Sequence, residues 1–337
     1  MKAVGFKTSL PISDPNSFIE FETEKPRPQG RELLVKINAI AVNPVDYKIR
    51  QNAAKDTELS EPKIIGWDAC GVVEAIGNEV SLFNIGDEVY YAGDITKPGC
   101  NAEYQVIDER IVGKKPKTLS IEATAAMPLT TLTAWEILFD RIRISTEKDK
   151  GKTLLIIAGA GGVGSITIQL AKKIAGLNVI ATASRPESID WCKLMGADVV
   201  VNHKNLTEEV RNAGFQYVDF IVDFVDANGY WDDMVELIKP QGHIASITGS
   251  ATPIALNKLK TKSASFSWEF MYTRSTFQTD DMIEQHHILN KVANLLDEGA
   301  LIHTLTQTLT GLSAETLKQA HEQLESGTTI GKLAIRF

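Results

Sequence analysis

The run Gly159-Ala160-Gly161-Gly162-Val163-Gly164 carries the most specific chemistry in this sequence. An apolar stretch, Leu154 to Ala158, leads into it, and apolar positions at helical spacing follow (Ile166, Ile168, Leu170, Ala171, Ile174). A strand that feeds a glycine turn and then a helix is the dinucleotide-binding βαβ pattern. Gly159 is expected to permit the tight turn, Gly161 to let the backbone approach a pyrophosphate with no Cβ in the way, and Gly164 to let the helix pack closely on the strand. Phosphate would then sit at the helix N-terminus, where unpaired N–H groups and the dipole favour negative charge. The whole run 159–164 is therefore a candidate cofactor site. The alternative is a glycine turn that binds nothing.

The second strand of the unit bears on which dinucleotide binds. An NAD-selective site usually ends that strand in Asp or Glu to accept bonds from the ribose 2′-OH. Here Asn178 to Ala183 ends without an acid, and Ser184-Arg185-Pro186 follows. A hydroxyl and a guanidinium suit a 2′-phosphate, so the expected cofactor is NADPH. Arg185 as a solvated surface charge is the competing reading. Phe224-Val225 and Ile247-Thr248-Gly249 end later strands at the carboxyl edge, where open α/β sheets bind ligands; Phe224, Val225, Thr248 and Gly249 are expected to line the groove.

The elements that must position these residues change character along the chain. The N-terminal third reads as short strands with turn punctuation: 33–42 closed by Asn43-Pro44, 70–75, 86–91, 102–107 and 110–112, a compact and mostly β, barrel-like domain. Helical pattern begins near Ser120, with 121–126 and 131–139 separated by Pro128 as a break. Beyond the glycine-rich unit, helix and strand alternate: 189–195, 199–201, 207–213, 217–225, a helix 231–239 stopped by Pro240, and 243–248. That alternation predicts a parallel sheet with helices on both faces, an α/β fold with a doubly wound sheet. An edge strand over 265–270, a helix over 280–296, a β-rich return, a helix 313–324 and a closing strand 332–337 complete the chain. The tail is expected to rejoin the N-terminal domain, because isolated short strands cannot bury their faces alone.

At 337 residues, with 43% hydrophobic and 23% charged residues, the chain has the composition of an ordinary globular protein with room for two domains. Its net charge of −8 argues against nucleic-acid partners. No apolar run reaches the roughly 20 residues that span a bilayer, and the start MKAVGFKTSLPISDP lacks a signal-peptide core, so no membrane partner and a cytoplasmic location are expected. The three cysteines, Cys70, Cys100 and Cys192, include no CxxC pair and read as reduced thiols.

The β-rich N-terminal domain, the later AGAGGVG turn and the terminal GKLAIRF resemble the medium-chain dehydrogenase/reductase superfamily. Asn43-Pro44-Val45-Asp46-Tyr47-Lys48-Ile49-Arg50, Gly66-Trp67-Asp68-Ala69-Cys70-Gly71-Val72-Val73 and Gly86-Asp87-Glu88-Val89-Tyr90 look like its quinone oxidoreductase branch, nearest to proteins labelled zinc-type alcohol dehydrogenase-like. The resemblance implies a GroES-like domain, 1–122 and 268–337, a Rossmann domain, 123–267, a cleft between them, a small-molecule substrate and a homodimer. It places Tyr47 and Asn43 near the nicotinamide as candidate catalytic donors, Asn43 also as a cofactor contact, and Tyr47 and Trp67 in the substrate pocket with Trp67 as an apolar wall. Thr131 and Thr133 would hydrogen-bond the cofactor at the domain junction. Bland alternatives are a packed Tyr47, a turn residue at Asn43, a core Trp67 and threonines bonded to their own backbone.

The resemblance also raises zinc. Motif matching puts the family's three catalytic ligand positions at Asn43, Trp67 and about Leu129, none of which binds zinc. All six histidines lie past residue 200, and His286-His287 reads as helix surface, so no metal is expected. Reducing a simple ketone develops an alkoxide, about as basic as hydroxide, whose parent water has a pKa of about 15.7. Hydride addition to a quinone leaves a phenolate of pKa about 10, a difference of roughly six units or on the order of 8 kcal/mol. A metal-free site therefore suits quinones, or enones that pass through an enolate. Two other readings are an alcohol dehydrogenase with atypical ligands and an NADPH-binding sensor or structural protein with little turnover.

Overall fold

The computed structural model describes residues 1–337, which form two compact units, Met1–Leu132 with Tyr272–Phe337, and Thr133–Met271. The first unit opens with β1 (Lys2–Phe6), β2 (Ile19–Glu22), β3 (Glu32–Ala41), β4 (Lys63–Ile64), β5 (Asp68–Ile76), β6 (Glu88–Tyr91), β7 (Tyr104–Asp108) and β8 (Val112–Lys114). The second holds β9 (Thr153–Ile157), β10 (Asn178–Thr182), β11 (Val199–Val201), β12 (Val218–Asp223), β13 (Ile238–Ser246) and β14 (Ser265–Trp268). The chain then returns to the first unit with β15 (Leu305–Thr310) and β16 (Lys332–Arg336).

In the first unit the main sheet runs β15-β16-β3-β5-β6-β8, with β7 also on β3, and a small sheet runs β2-β1-β4. The tail rejoins this unit as expected, since β16 pairs antiparallel with β3. Register decides what meets at one end of the sheet. Ala41 lies opposite both Asp68 of β5 and Ala334 of β16. The residues just past Ala41 therefore stand beside the first residues of β5 and β16, which brings Asn43, Asp68 and Lys332 together.

The second unit is a six-stranded parallel sheet in the order β11-β10-β9-β12-β13-β14. Strand order reverses between β9 and β12, the switch point where such sheets bind ligands at their carboxyl ends. β9 is buried along its whole length, which explains its unbroken Leu-Leu-Ile-Ile run. Leu155, Ile157, Ile180, Ile221 and Ile244 form the core with Trp231, Met234 and Leu237 from a covering helix.

Several sequence expectations about elements need correction. Pro128 begins a helix, Pro128–Trp135, and does not interrupt one, because its missing N–H has no partner to lose at the first position. The helix from Trp231 ends at Leu237, and Pro240 lies inside β13. There the register jumps from Val218↔Ile238 to Phe220↔His243 and Gln241 has φ 65°, a bulge that tolerates proline. Glu109–Ile111 is a 3-10 turn, and the strand starts only at Val112. The helix expected from Asp280 begins at Glu284, since the Asp281 carboxylate accepts from Arg274 and Thr279 in the preceding turn. Pro44–Asn52 also forms a helix, although its sequence carries no apolar stripe: of its residues only Asp46 and Arg50 are buried.

Candidate functional site

The glycine turn of the second unit divides its work differently from the expectation. The left-handed residue is Ala158, φ 67°, and Gly159 has ordinary backbone. Gly159 is instead required by packing, because a Cβ there would lie 2.7 Å from Ala181 Cβ and 3.2 Å from Cys192 Sγ. A Cβ on Gly164 would meet Ala158 O at 2.3 Å and Gly159 O at 2.6 Å, so close helix–strand packing does need this glycine. A Cβ on Gly161 would find only Ala158 O, at 3.7 Å, and would otherwise project into open space. Gly161 caps the helix Gly162–Gln169 with no side chain on its first N–H groups, so Gly162, Val163 and Gly164 point donors outward. Ala160 is half-buried in the turn. This cradle fits a dinucleotide pyrophosphate.

Thr182, which the sequence reading missed, ties the turn to β10: its Oγ1 accepts from Ala158 N at 2.9 Å and its carbonyl from Gly159 N at 3.1 Å. Ser184 is exposed just beyond. Arg185 is partly exposed, with Nε 3.5 Å from Glu187 Oε1, and Pro186 starts the next helix. At the ends of β12 and β13, Asp223 is a fully buried hub that the sequence reading also missed. It accepts from Val225 N and Asp226 N at 3.1 Å, Ser246 Oγ at 2.8 Å and Thr248 Oγ1 at 3.0 Å. Thr248 also accepts from Ala227 N, so its hydroxyl is engaged in holding the loop. Phe224 is half-buried, while Val225 and Gly249 are exposed at this edge. Thr133 is buried in the same unit.

The first unit builds a second, wholly buried polar centre. Asn43 is the extended N-cap residue of Pro44–Asn52, and its N–H donates to Asp46 Oδ2 at 2.8 Å. Its carboxamide is pinned at both ends: Nδ2 donates to Asp68 Oδ2 at 2.8 Å, and Oδ1 accepts from Lys332 Nζ at 2.5 Å. Lys332 Nζ also donates to Val42 O at 2.8 Å and Asp68 Oδ2 at 3.0 Å. Leu129 N donates to Asp68 Oδ1 at 2.7 Å. Burial raises the Asp68 carboxyl, against the Lys332 charge and the Asn43 and Leu129 donors. Because three donors converge on Asp68, the ionised carboxylate is the form that fits. Asp46 has no such cation bonded to it; burial pushes it up to about 7, and its Oδ1 is unpartnered.

Against this geometry the expected catalytic residues separate. Asn43 spends its side chain inside the protein, which leaves no free amide to meet a substrate oxygen. Trp67, expected as a pocket wall, is fully buried, donates its indole N–H to Asp94 O at 3.0 Å and meets Tyr272 edge-on, so it is a core residue. Tyr47 is half-buried on Pro44–Asn52, and burial raises its phenol above the usual value. Thr131 is fully buried with an Oγ1 that has no partner.

The same centre fails the test for zinc. Of the three ligand positions, the Asn43 oxygen is held by an ammonium, the Trp67 nitrogen is a donor, and the Leu129 side chain has no donor atom. Asp68, the neighbouring carboxylate, already carries a cation, which would repel a second one. Cys100 Sγ lies 3.4 Å from Asp68 O, and burial holds its thiol well above the normal range, unlike a metal-bound thiolate. No three His, Cys, Asp or Glu side chains converge anywhere in the chain. His286 is not merely surface: it is half-buried, with Nδ1 donating to Val112 O at 2.6 Å. No helix is long and apolar enough to cross a membrane.

Two family models match the chain, an alcohol dehydrogenase GroES-like domain over residues 29–117 and a zinc-binding dehydrogenase domain over 162–285. A zinc-type alcohol dehydrogenase-like protein of Staphylococcus epidermidis (strain ATCC 12228 / FDA PCI 1200) is 46% identical over 340 residues, covering 100% of both chains. A solved structure from Rhizobium etli CFN 42, described as a candidate zinc-dependent alcohol dehydrogenase, superposes with a TM-score of 0.95 at 45% identity, covering 100% of this chain and 98% of that one. The chloroplastic NADPH-dependent alkenal/one oxidoreductase of Arabidopsis thaliana is 34% identical over 230 residues, 66% of this chain and 56% of the other. With a GroES-like β-rich unit completed by the C-terminus and a doubly wound parallel-sheet unit, the chain belongs to the medium-chain dehydrogenase/reductase superfamily of oxidoreductases.

Proposed function

We propose that this protein is an NADPH-dependent reductase that delivers hydride to quinones or α,β-unsaturated carbonyls without zinc. One observation carries the reading: the buried centre that would hold the metal is already closed by the Lys332–Asp68–Asn43 network. A site with no Lewis acid favours substrates whose reduced oxygen is a weak base, which quinones and enones provide and simple ketones do not. The Arabidopsis relative, named for alkenal reduction with NADPH, supports the enone side and the cofactor.

The bound nicotinamide would supply the hydride. The chain's own part is to orient and to stabilise developing charge. Tyr47 is the leading donor: its raised phenol stays protonated at neutral pH, and no protein group takes its hydroxyl. A single donor of this kind is worth about 10²-fold or more in kcat. The reading includes a cytoplasmic location and a homodimer, and light scattering on the purified protein tests the homodimer.

NADPH oxidation should be followed by the loss of its absorbance with a simple quinone and with an alkenal, with and without a strong chelator. Turnover is expected to survive the chelator, and Tyr47→Phe to lower kcat by about 10²-fold with little change in KM for NADPH. Activity that disappears with chelator and returns with zinc would sink the proposal. A separate expectation concerns cofactor choice. Arg185→Ala should weaken NADPH by about tenfold, or about 1.4 kcal/mol, and leave NADH unchanged, read by KM for each. An equal loss for both would make Arg185 a surface charge.

A further inference from the structure

The Lys332 ammonium is tied to the ends of the elements around it, and it is only 4% exposed. Through Val42 O it holds the end of β3, through Asn43 Oδ1 the cap of the helix that carries Tyr47, and through Asp68 Oδ2 the start of β5. Asp68 in turn holds Leu129 N at the start of Pro128–Trp135. All three ammonium protons are spent on protein oxygens, so Lys332 does not reach a substrate.

We infer that Lys332 is the internal cation of the first unit, a positioning residue that does with a fixed ammonium what a bound divalent ion would do by ligation. Its oxygen set, one carboxylate, one amide and one backbone carbonyl, matches three N–H donors in number. The arrangement sets the pose of Asn43 and hence of the first turn of Pro44–Asn52, and Tyr47 lies on that turn. Exchange of the carboxamide ends would point an NH₂ at the ammonium and an oxygen at the carboxylate, so the network admits one orientation. The inference rests on the metal-free reading above and adds the residue that makes the centre independent of metal.

The test compares Lys332→Met, Asp68→Asn and the double variant in the full-length protein with NADPH and an alkenal. Each single change leaves one buried charge without its partner, whereas the double change removes both charges. Both single variants are expected to melt earlier than the wild type, and the double variant to melt later than either single. If Lys332 positions Tyr47, kcat of the double variant stays down by about 10²-fold although its melting temperature recovers, with KM for NADPH unchanged. Lys332→Met placed on Tyr47→Phe should lower kcat much less than it does on the wild type, because both changes remove one effect. Recovery of kcat together with stability in the double variant would overturn the positioning role, as would full additivity with Tyr47→Phe. Additive melting losses would overturn the charge pairing, and that readout needs no substrate. If Lys332→Met alone does not fold, Asp68→Asn and the double variant still give the comparison. Loss of wild-type activity to a chelator is a separate outcome that strikes the metal-free reading.

Discussion

Gly161→Ala is expected to keep the fold and lose the cofactor, while Gly164→Ala loses the fold of the turn itself. The new Cβ at 161 would meet nothing nearer than 3.7 Å, so the melting temperature should barely move. That same methyl would stand where the backbone must approach the pyrophosphate, and NADPH affinity should fall by tenfold or more, about 1.4 kcal/mol. At 164 the Cβ would sit 2.3 Å and 2.6 Å from two carbonyl oxygens, and neither can rotate away as a side chain would. The helix must shift, at about 1–3 kcal/mol of overpacking, and donors at its N-terminus shift with it. Thermal unfolding and a fluorescence titration with NADPH separate the two. If Gly161→Ala binds NADPH as the wild type does, phosphate does not lie against this turn.

The second large effect is on acid stability. His321, on the helix Ala314–Glu325, is fully buried against the Phe18 ring, and neither ring nitrogen has a partner. Burial, helped by the Arg50 charge, pushes its pKa down to about 3. The unfolded chain takes up a proton near 6.5 that the native imidazole refuses, so the stability His321 contributes is present above pH 6.5 and is lost as pH falls toward 3. A gap of roughly 3.5 units corresponds to a loss on the order of 5 kcal/mol at the acid end. His321→Leu should therefore unfold at higher urea than the wild type at pH 4 and differ little at pH 8.

Asp46 tilts the other way. Its folded pKa of about 7 lies above the unfolded value, so its contribution is present below about pH 4 and is lost as pH rises through 7. The groups that face it are the Asn43 N–H, Lys332 and Asp68. Asp46→Asn should gain stability relative to the wild type as pH rises from 4 to 7, roughly, the opposite slope to His321→Leu. A flat difference from the wild type across this range for either variant would show that its group titrates normally.

The glycine turn, the alternating strands and helices after it, and the absence of an acid at the end of β10 were all legible in the sequence, because each rests on local chemistry within about 30 residues. The chain's return to the first unit was legible too, since β15 and β16 alone make too small a sheet to bury their faces. Pro44–Asn52 was not: nine residues, mostly polar, with only Asp46 and Arg50 fully buried, leave no apolar stripe to read. Pro128 and Pro240 misled for one reason. Proline shows that a helix interior is impossible at its position, but only the neighbouring strands and turns decide whether it opens a helix or sits in a bulge.

Within the candidate site, residue types at fixed spacing were enough to mark the glycine turn as a candidate nucleotide site, and matching to the family's motifs put Asn43, Trp67 and Leu129, none of them a zinc ligand, at the usual ligand positions. Which glycine bears the strain was settled in three dimensions, where Ala158 takes the left-handed turn and Gly159 is needed for its closeness to Ala181 and Cys192. The fates of Asn43 and Trp67 were decided there as well. The residues that pin or bury them, Lys332 and Tyr272, are more than 200 positions away along the chain. Lys332 reads in sequence as one more charged residue in a closing strand. Sheet register alone, by setting Ala334 and Asp68 both opposite Ala41, turns it into a buried cation at the centre of the first unit.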